Sequence, residues 1–191
     1  PNLDERTRPV SDVLFENGTI SPLILDAYHL LALDENRLAF RPTLMNADPR
    51  VTEVWFPGVH SDIGGGYRRD GLSDLTLTFM LERASGHGLR FLDVEDIPTD
   101  VLTGVDERGR TVTIGHDDIR IEPDVDGVIH QHERKIAKRT LADRKVCVHR
   151  DGRPSSAQPI VHSSATTRRT YEPTSLAGVS FRIFDELDRA M

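Results

Sequence analysis

The pattern of hydrophobic and polar positions predicts strands that alternate with helices. Residues 53–56 (Glu-Val-Trp-Phe) form a short run rich in β-formers, and a polar stretch and three glycines follow it. Apolar side chains over 75–81 predict a helix across about 73–85, which Gly86 and Gly88 end. A strand, a polar loop and a helix in this order are typical of the carboxyl end of a strand in an α/β sheet. We therefore expect an α/β fold.

A second helix is predicted upstream, over about 22–33. Ser21 and Pro22 resemble a helix start, with a serine cap and a proline in the first turn. The residues that follow are apolar on almost every side, and such a helix belongs in a packed interior.

The second half of the chain has weaker patterns. Residues 111–114 and 145–149 predict short strands, 89–92 suggests a further one, and the polar stretch 93–124 fits either a β-rich cover or a disordered insertion. We expect residues 1–92 to form the carboxyl-terminal part of the α/β core. Residues 93–191 are then a mixed accessory region covering the same domain.

Composition narrows the class of protein. The net charge of −7 and a pI near 5.6 argue against a protein that binds nucleic acid through bulk charge. No apolar run approaches the ~18 residues of a transmembrane segment, and no signal peptide is visible. We expect a protein that is cytoplasmic, or exported without a visible signal peptide. The single Cys147 lies among alternating apolar residues, which favours a buried structural thiol.

The candidate chemistry follows the 53–56 strand directly. His60 and Asp62 lie two residues apart, and Gly64, Gly65 and Gly66 follow them. An imidazole titrates near neutral pH and suits proton transfer, while glycines allow positive φ and the close approach of a ligand.

The same stretch carries a resemblance. Residues 55–67, WFPGVHSDIGGGY, resemble the signature of a bacterial and fungal family of uncharacterised α/β-hydrolase-type domains, which includes phospholipase effectors delivered by type VI secretion. Weaker resemblances lie at 34–40, at the Gly-x-x-His segment 127–130 and at 160–176.

The resemblance implies a serine esterase or phospholipase in which His60 is the general base. In an α/β-hydrolase the histidine follows the nucleophile and the acid along the chain, and His60 fits that position. Asp62 is expected to orient the glycine loop through backbone N–H groups rather than to be the triad acid. Ser61 and the glycines at 64–66 support the loop, and the weaker candidate histidines are His162 and His130.

The nucleophile motif Gly-x-Ser-x-Gly is absent from the sequence. In the family it lies upstream, together with the acid. The resemblance therefore implies the histidine-bearing half of a hydrolase, inactive alone, whose partner is the missing amino-terminal half. It implies an ester or phospholipid substrate and no cofactor or metal. Such a half-sheet has an exposed edge, so we expect the chain to need that partner or to be marginally stable.

Two other interpretations stay open. In one, His60 and Asp62 bind a divalent ion together with a distant carboxylate, as in a metal-dependent phosphoesterase. In the other, the chain is a binding module without catalysis. His130 and His132 alone give a weak zinc signal. The basic run over 134–145 is either a solvated face or a contact for lipid phosphates.

Overall fold

The computed structural model describes residues 18–100, 102–106, 108–130 and 141–184. The expectations for His132 and for the basic positions within 134–139 lie outside these residues.

The described residues form eight strands and four α-helices. The strands are β1 (Ala27–Ala32), β2 (Val51–Phe56), β3 (Thr103–Val105), β4 (Thr111–Thr113), β5 (His149–Arg150), β6 (Arg153–Pro154), β7 (Ile160–His162) and β8 (Arg182–Phe184). The helices are α1 (His60–Gly64), α2 (Gly71–Gly86), α3 (His116–Ile119) and α4 (Ser164–Thr167), with short 3-10 turns at Leu38–Phe40, Val94–Asp96 and Thr174–Leu176.

Four strands form one parallel sheet in the order β1-β2-β7-β8. All of their carboxyl ends therefore meet at one edge, where an α/β sheet carries its chemistry. The α/β prediction is confirmed at this level, as are the 53–56 strand within β2 and the 73–85 helix within α2. The sheet takes strands from both sides of residue 92, so part of the expected accessory region belongs to the sheet itself.

The predicted helix over 22–33 is wrong, because β1 occupies half of this range and no helix lies in the rest. β1 pairs in parallel with β2 along six residues, and His29 lies opposite Glu53. The His29 Nδ1 and Glu53 Oε1 atoms are 2.9 Å apart, which links the two strands through their side chains. A strand covered on both faces has an apolar run that periodicity does not distinguish from a buried helix.

The core lies on both faces of the sheet because successive side chains of β2 point in opposite directions. Val54 and Phe56 pack with Phe79 of α2, whereas Trp55 packs on the other face. Cys147, half-buried and free, packs against the Trp55 side. Burial raises the pKa of its thiol, as expected for a structural cysteine.

The remaining strands form two small hairpins. β3 pairs with β4, which confirms a hairpin strand near 111–114. β5 pairs with β6, so the strand predicted over 145–149 begins only at His149. Residues 89–92 are irregular, and that short strand is absent. The 93–124 stretch is described almost throughout, which favours the cover over the disordered insertion.

Candidate active site

The chain segments that follow β1 and β2 are joined at the carboxyl edge of the sheet. The Asp34 N–H donates to the Gly58 carbonyl at 3.0 Å, and the Gly58 N–H donates to Asp34 Oδ2 at 2.6 Å. The Tyr171 hydroxyl donates to the same carboxylate oxygen at 2.7 Å. Burial raises the pKa of Asp34, and the bonds from Tyr171 and Gly58 partly offset that rise. This carboxyl therefore fixes the start of the loop that leads to His60.

Gly58 allows that loop to turn tightly onto Asp62. Its φ is 117°, in the region that favours glycine, and a Cβ placed there would lie 2.5 Å from the Asp62 Cβ. The loop then enters α1, so His60 begins a short helix, and the sequence prediction of an irregular loop at His60 and Asp62 is wrong.

Asp62 is buried, with 2% of its surface exposed, and its carboxylate accepts three hydrogen bonds. Oδ2 accepts from the Val59 N–H at 2.9 Å and from the His130 N–H at 3.1 Å. Oδ1 lies 2.6 Å from Nδ1 of His130. The backbone groups that Asp62 binds are therefore those of Val59 and His130, not those of the three glycines.

The Asp62–His130 pair has the geometry of an oriented imidazole. A carboxylate accepts, so the Nδ1–H of His130 donates to it and Nε2 is left to exchange a proton. The Tyr67 ring stacks on the His130 ring with centroids 3.8 Å apart. The His130 side chain is 23% exposed, so part of the imidazole is accessible. We call Asp62 and His130 the dyad.

Arg168 holds the turn that precedes His130. Its Nη1 and Nη2 atoms donate to the carbonyls of Val125 and Gly127, both at 2.6 Å. The Arg168 guanidinium also lies 5.7 Å from the centroid of the Tyr171 ring. From α2, the Gly71 carbonyl accepts the Asp124 N–H at 3.0 Å. The backbone that carries His130 is thus fixed from two sides.

His60 lies apart from the dyad. Its side chain is exposed, and its ring packs against Phe40 with centroids 4.8 Å apart. Its N–H donates to Glu35 Oε2 at 3.1 Å. The imidazole with which Asp62 forms a hydrogen bond is therefore that of His130. The role of His60 as a general base stays a prediction.

Glu35 is a buried carboxylate held by Arg37. Arg37 donates to it through Nε at 2.7 Å and Nη2 at 2.6 Å. Burial raises the pKa of Glu35, but the bonds from Arg37 and His60 outweigh it and lower that pKa to about 2. Glu35 is therefore an anion that ties the segment after β1 to the first residue of α1.

His162 is half-buried beside the core. It ends β7, and α4 begins two residues later. Its ring stacks on Phe56 with centroids 4.3 Å apart, and the Ser164 N–H donates to Nδ1 at 3.2 Å. The Ser164 hydroxyl, 2.9 Å from the same nitrogen, is buried, so no substrate reaches this serine–histidine pair in the present arrangement.

The expected supporting residues lie in α1 and directly after it. Ser61 is half-buried within α1, and Gly64 ends that helix. Gly65 and Gly66 have φ of 81° and 114°, so the chain leaves α1 through a conformation that side-chain-bearing residues rarely adopt. This exit brings Tyr67 onto the His130 ring.

The described residues hold no group of three or more His, Cys, Asp or Glu side chains arranged to bind a metal ion. Asp62, proposed with His60 as a ligand of such a site, forms hydrogen bonds with His130 and Val59.

None of the helices in the described part of the chain has the length and apolar character to cross a bilayer.

Sequence reasoning missed two residues of this site, Tyr67 and Arg168. It ranked His130 low because His130 and His132 lack a third ligand nearby in the sequence, and the actual partner, Asp62, lies 68 residues away in the chain. The Gly-x-x-His segment was the available signal, since its glycine packs against Asp124 and α2 next to the histidine.

Comparison with known proteins finds similarity in the first part of the chain. Residues 2–83 match the family described as T6SS, Phospholipase effector Tle1-like, catalytic domain. A 52-residue stretch is 44% identical to the uncharacterised protein YEL023C of Saccharomyces cerevisiae. That match spans 25% of this chain and 8% of the yeast protein. No solved structure matches the chain.

Proposed function

We propose that this chain supplies the acid–base pair of a serine ester hydrolase that acts on a phospholipid or a related ester. In this proposal Asp62 orients His130, and the nucleophilic serine comes from outside the chain. The hydrogen bond between Asp62 and His130 carries the proposal, because a buried carboxylate bound to Nδ1 is the arrangement that prepares Nε2 to act as a base. The similarity of residues 2–83 to a phospholipase effector family supports the substrate class.

The dyad would act in two steps. Nε2 of His130 takes the proton of the serine hydroxyl while the serine oxygen attacks the ester carbonyl. The same nitrogen then gives that proton to the leaving alcohol, and water releases the acyl group by the reverse sequence. Asp62 holds the tautomer and stabilises the imidazolium through both steps. The stacked Tyr67 ring keeps the imidazole in one plane.

Three substitutions in the full protein that includes the nucleophile test this proposal. His130→Ala and Asp62→Asn should each reduce ester hydrolysis by roughly a thousandfold or more, as for other triad members. His60→Ala should stay within a few-fold of wild type, because its ring does not contact the dyad. His87→Ala, at an exposed position just after α2, is the matched control, and thermal unfolding checks that each variant folds.

The opposite result would support the first expectation, in which His60 is the general base. Activity that survives His130→Ala but is lost in His60→Ala would identify His60 as the base. Activity that neither change affects would favour a binding module. Labelling by a fluorophosphonate reports separately whether a reactive serine is present at all.

A further inference from the structure

A pocket separate from the dyad opens beside β1. It has a volume of about 370 Å³ and lies between β1, the Leu38–Phe40 turn and α1. The side chains that matter here are basic or aromatic: Phe40, Arg41, His60 and Arg144. We call it the Arg144 pocket.

Arg144 is a buried cation that forms no ion pair with any residue that the structure describes. Only 9% of its surface is exposed, and its Nε has no hydrogen-bond partner among the described residues. Burial lowers the pKa of Arg144 to about 10, so it remains charged at neutral pH. A buried charge that lacks a partner is unfavourable, and proteins normally provide an anion for it.

The nearby carboxylate of Glu35 is already engaged. It accepts two hydrogen bonds from the Arg37 side chain and one from the His60 N–H. Glu35 raises the pKa of Arg144, whereas Arg41 and Arg37 both lower it. Arg41 and Arg144 both line the pocket, and no carboxylate is among its described lining residues, so the pocket has an excess of positive charge.

We propose that the Arg144 pocket binds a phosphate group, with the Arg144 guanidinium as its main contact and with Arg41 and His60 at its rim. A guanidinium fork matches the geometry of phosphate oxygens and forms charge-assisted hydrogen bonds with them. The phosphate belongs either to a small soluble ester or to a lipid headgroup, and the chemistry of recognition is the same. The site does not depend on the proposed hydrolysis.

Calorimetric titration of the full chain with inorganic phosphate and with glycerol phosphate tests the site, with chloride at matched ionic strength as the blank. Wild type should bind saturably. Arg144→Gln should weaken binding roughly tenfold or more, as expected for lost hydrogen bonds to a charged group. Arg69→Gln makes the same charge change at an exposed position that does not line the Arg144 pocket. It should leave the affinity within about twofold, since it removes only a screened surface charge.

Sedimentation with vesicles of phosphatidylglycerol or phosphatidylcholine identifies the source of the phosphate. Binding to vesicles but not to soluble phosphate, lost in Arg144→Gln, assigns the site to a headgroup. Soluble binding alone assigns it to a small ester. His130→Ala should bind either probe as wild type does, which separates this site from the dyad.

Two results would overturn the proposal. One is the absence of saturable binding to any of these probes by wild type. The other is binding that Arg144→Gln leaves unchanged. Thermal unfolding without phosphate gives a further criterion: Arg144→Gln should not lower the midpoint, since it removes an uncompensated charge. A large fall would indicate a carboxylate of the chain as the partner. If the glutamine variant fails to fold, Arg144→Lys keeps the charge and should bind more weakly than wild type.

Discussion

Each buried or half-buried carboxylate near the carboxyl edge of the sheet accepts a hydrogen bond from a defined partner. Asp62 accepts from His130, Glu35 accepts from Arg37, and Asp34 accepts from Tyr171. These carboxylates lie on the segments after β1 and β2. The hydrogen bonds they accept therefore affect both stability and the position of the dyad.

The Glu35 carboxylate should make stability depend on pH in an acidic window. Its pKa is about 2 in the folded chain and 4.5 ordinarily, so its stabilisation is complete above pH 4.5 and is lost as pH falls towards 2. The difference in unfolding free energy between wild type and Glu35→Gln should shrink over that range by up to about 3 kcal/mol. Urea unfolding at stepped pH measures it.

Asp48→Asn is the control for that measurement. Asp48 pairs with Arg50 at 2.8 Å, but both side chains are partly exposed, and a surface ion pair of this kind contributes little to stability. A wild-type-to-Glu35→Gln difference that stays constant from pH 5 to pH 2 would contradict the role given to Glu35.

At the residue scale the sequence predicts the types of group present but not their pairing. His60 and Asp62 were recognised because they follow a strand directly. The partner of Asp62 was not, since His130 reaches it only after the chain has passed through α2 and the hairpin of β3 and β4. A contact between residues this far apart leaves no local pattern for periodicity to detect.

At the scale of elements, α2 both covers one face of the sheet and supports the turn before His130. Phe79 of α2 contacts Phe56 and Phe184, and Gly71 lies against Asp124. The start of this helix therefore positions the dyad through backbone contacts.

Two glycines of α2 should respond oppositely to alanine. At Gly71 an added Cβ would lie 2.7 Å from the Asp124 Cβ, so Gly71→Ala should destabilise the chain by about 1–3 kcal/mol. At Gly86 nothing lies within 4 Å, so Gly86→Ala should be neutral or stabilising by up to about 1 kcal/mol. Denaturant unfolding measures both. Equal effects would show that the Gly71 contact does not constrain the turn.

Arg168 should act on the dyad through the turn it holds. Without its two hydrogen bonds the His130 backbone shifts, and a displacement of about 1 Å can cost roughly a hundredfold in rate. Arg168→Ala should therefore lower kcat more than it raises KM, and it should speed exchange of the His130 amide, which donates to Asp62.

The neighbouring Arg169→Ala is the control for this role. Its side chain is mostly exposed and lies 3.3 Å from Asp126. It should leave kcat within about threefold, as expected for a surface ion pair. An unchanged His130 amide exchange rate in Arg168→Ala would remove the positioning role.

The strand β1 was predicted as a helix, because periodicity alone does not distinguish a short buried strand from a buried helix. Leu30 and Leu31 face opposite sides of the sheet, so both are apolar, and the run fits a helix as well as a strand. The pairing of His29 with Glu53 identifies the run as a strand, but this pairing can be recognised only when β1 and β2 are known to be neighbours. α2 was predicted correctly because its apolar run is long and glycines follow it.

At the scale of the whole molecule, β1 lies at the end of the sheet, with β2 as its strand neighbour in the described part of the chain. Leu23 and Leu25, just before β1, are 87% and 79% exposed. An open strand edge next to apolar side chains favours association with another chain.

The chain should therefore self-associate through this edge when it is purified without a partner. The double change Leu23→Lys and Leu25→Lys should shift the apparent mass towards the monomer, because charge at an edge opposes strand pairing. Sedimentation velocity at several concentrations measures it. Leu89→Lys with Leu92→Lys makes the same change in an exposed, irregular segment and should have little effect. A monomeric wild type at all concentrations would contradict the prediction.

The strand order also has a consequence for biosynthesis. β1 and β2 are close in the chain, but Val54 pairs with Ile160, and β8 joins beyond it. Long-range pairing of this kind slows folding, and a growing polypeptide acquires its parts in order from the amino end. A nascent chain on the ribosome therefore carries Asp62 well before His130 has been translated, and Arg168 emerges later still. The proposed proton transfer therefore depends on segments that are translated well after Asp62.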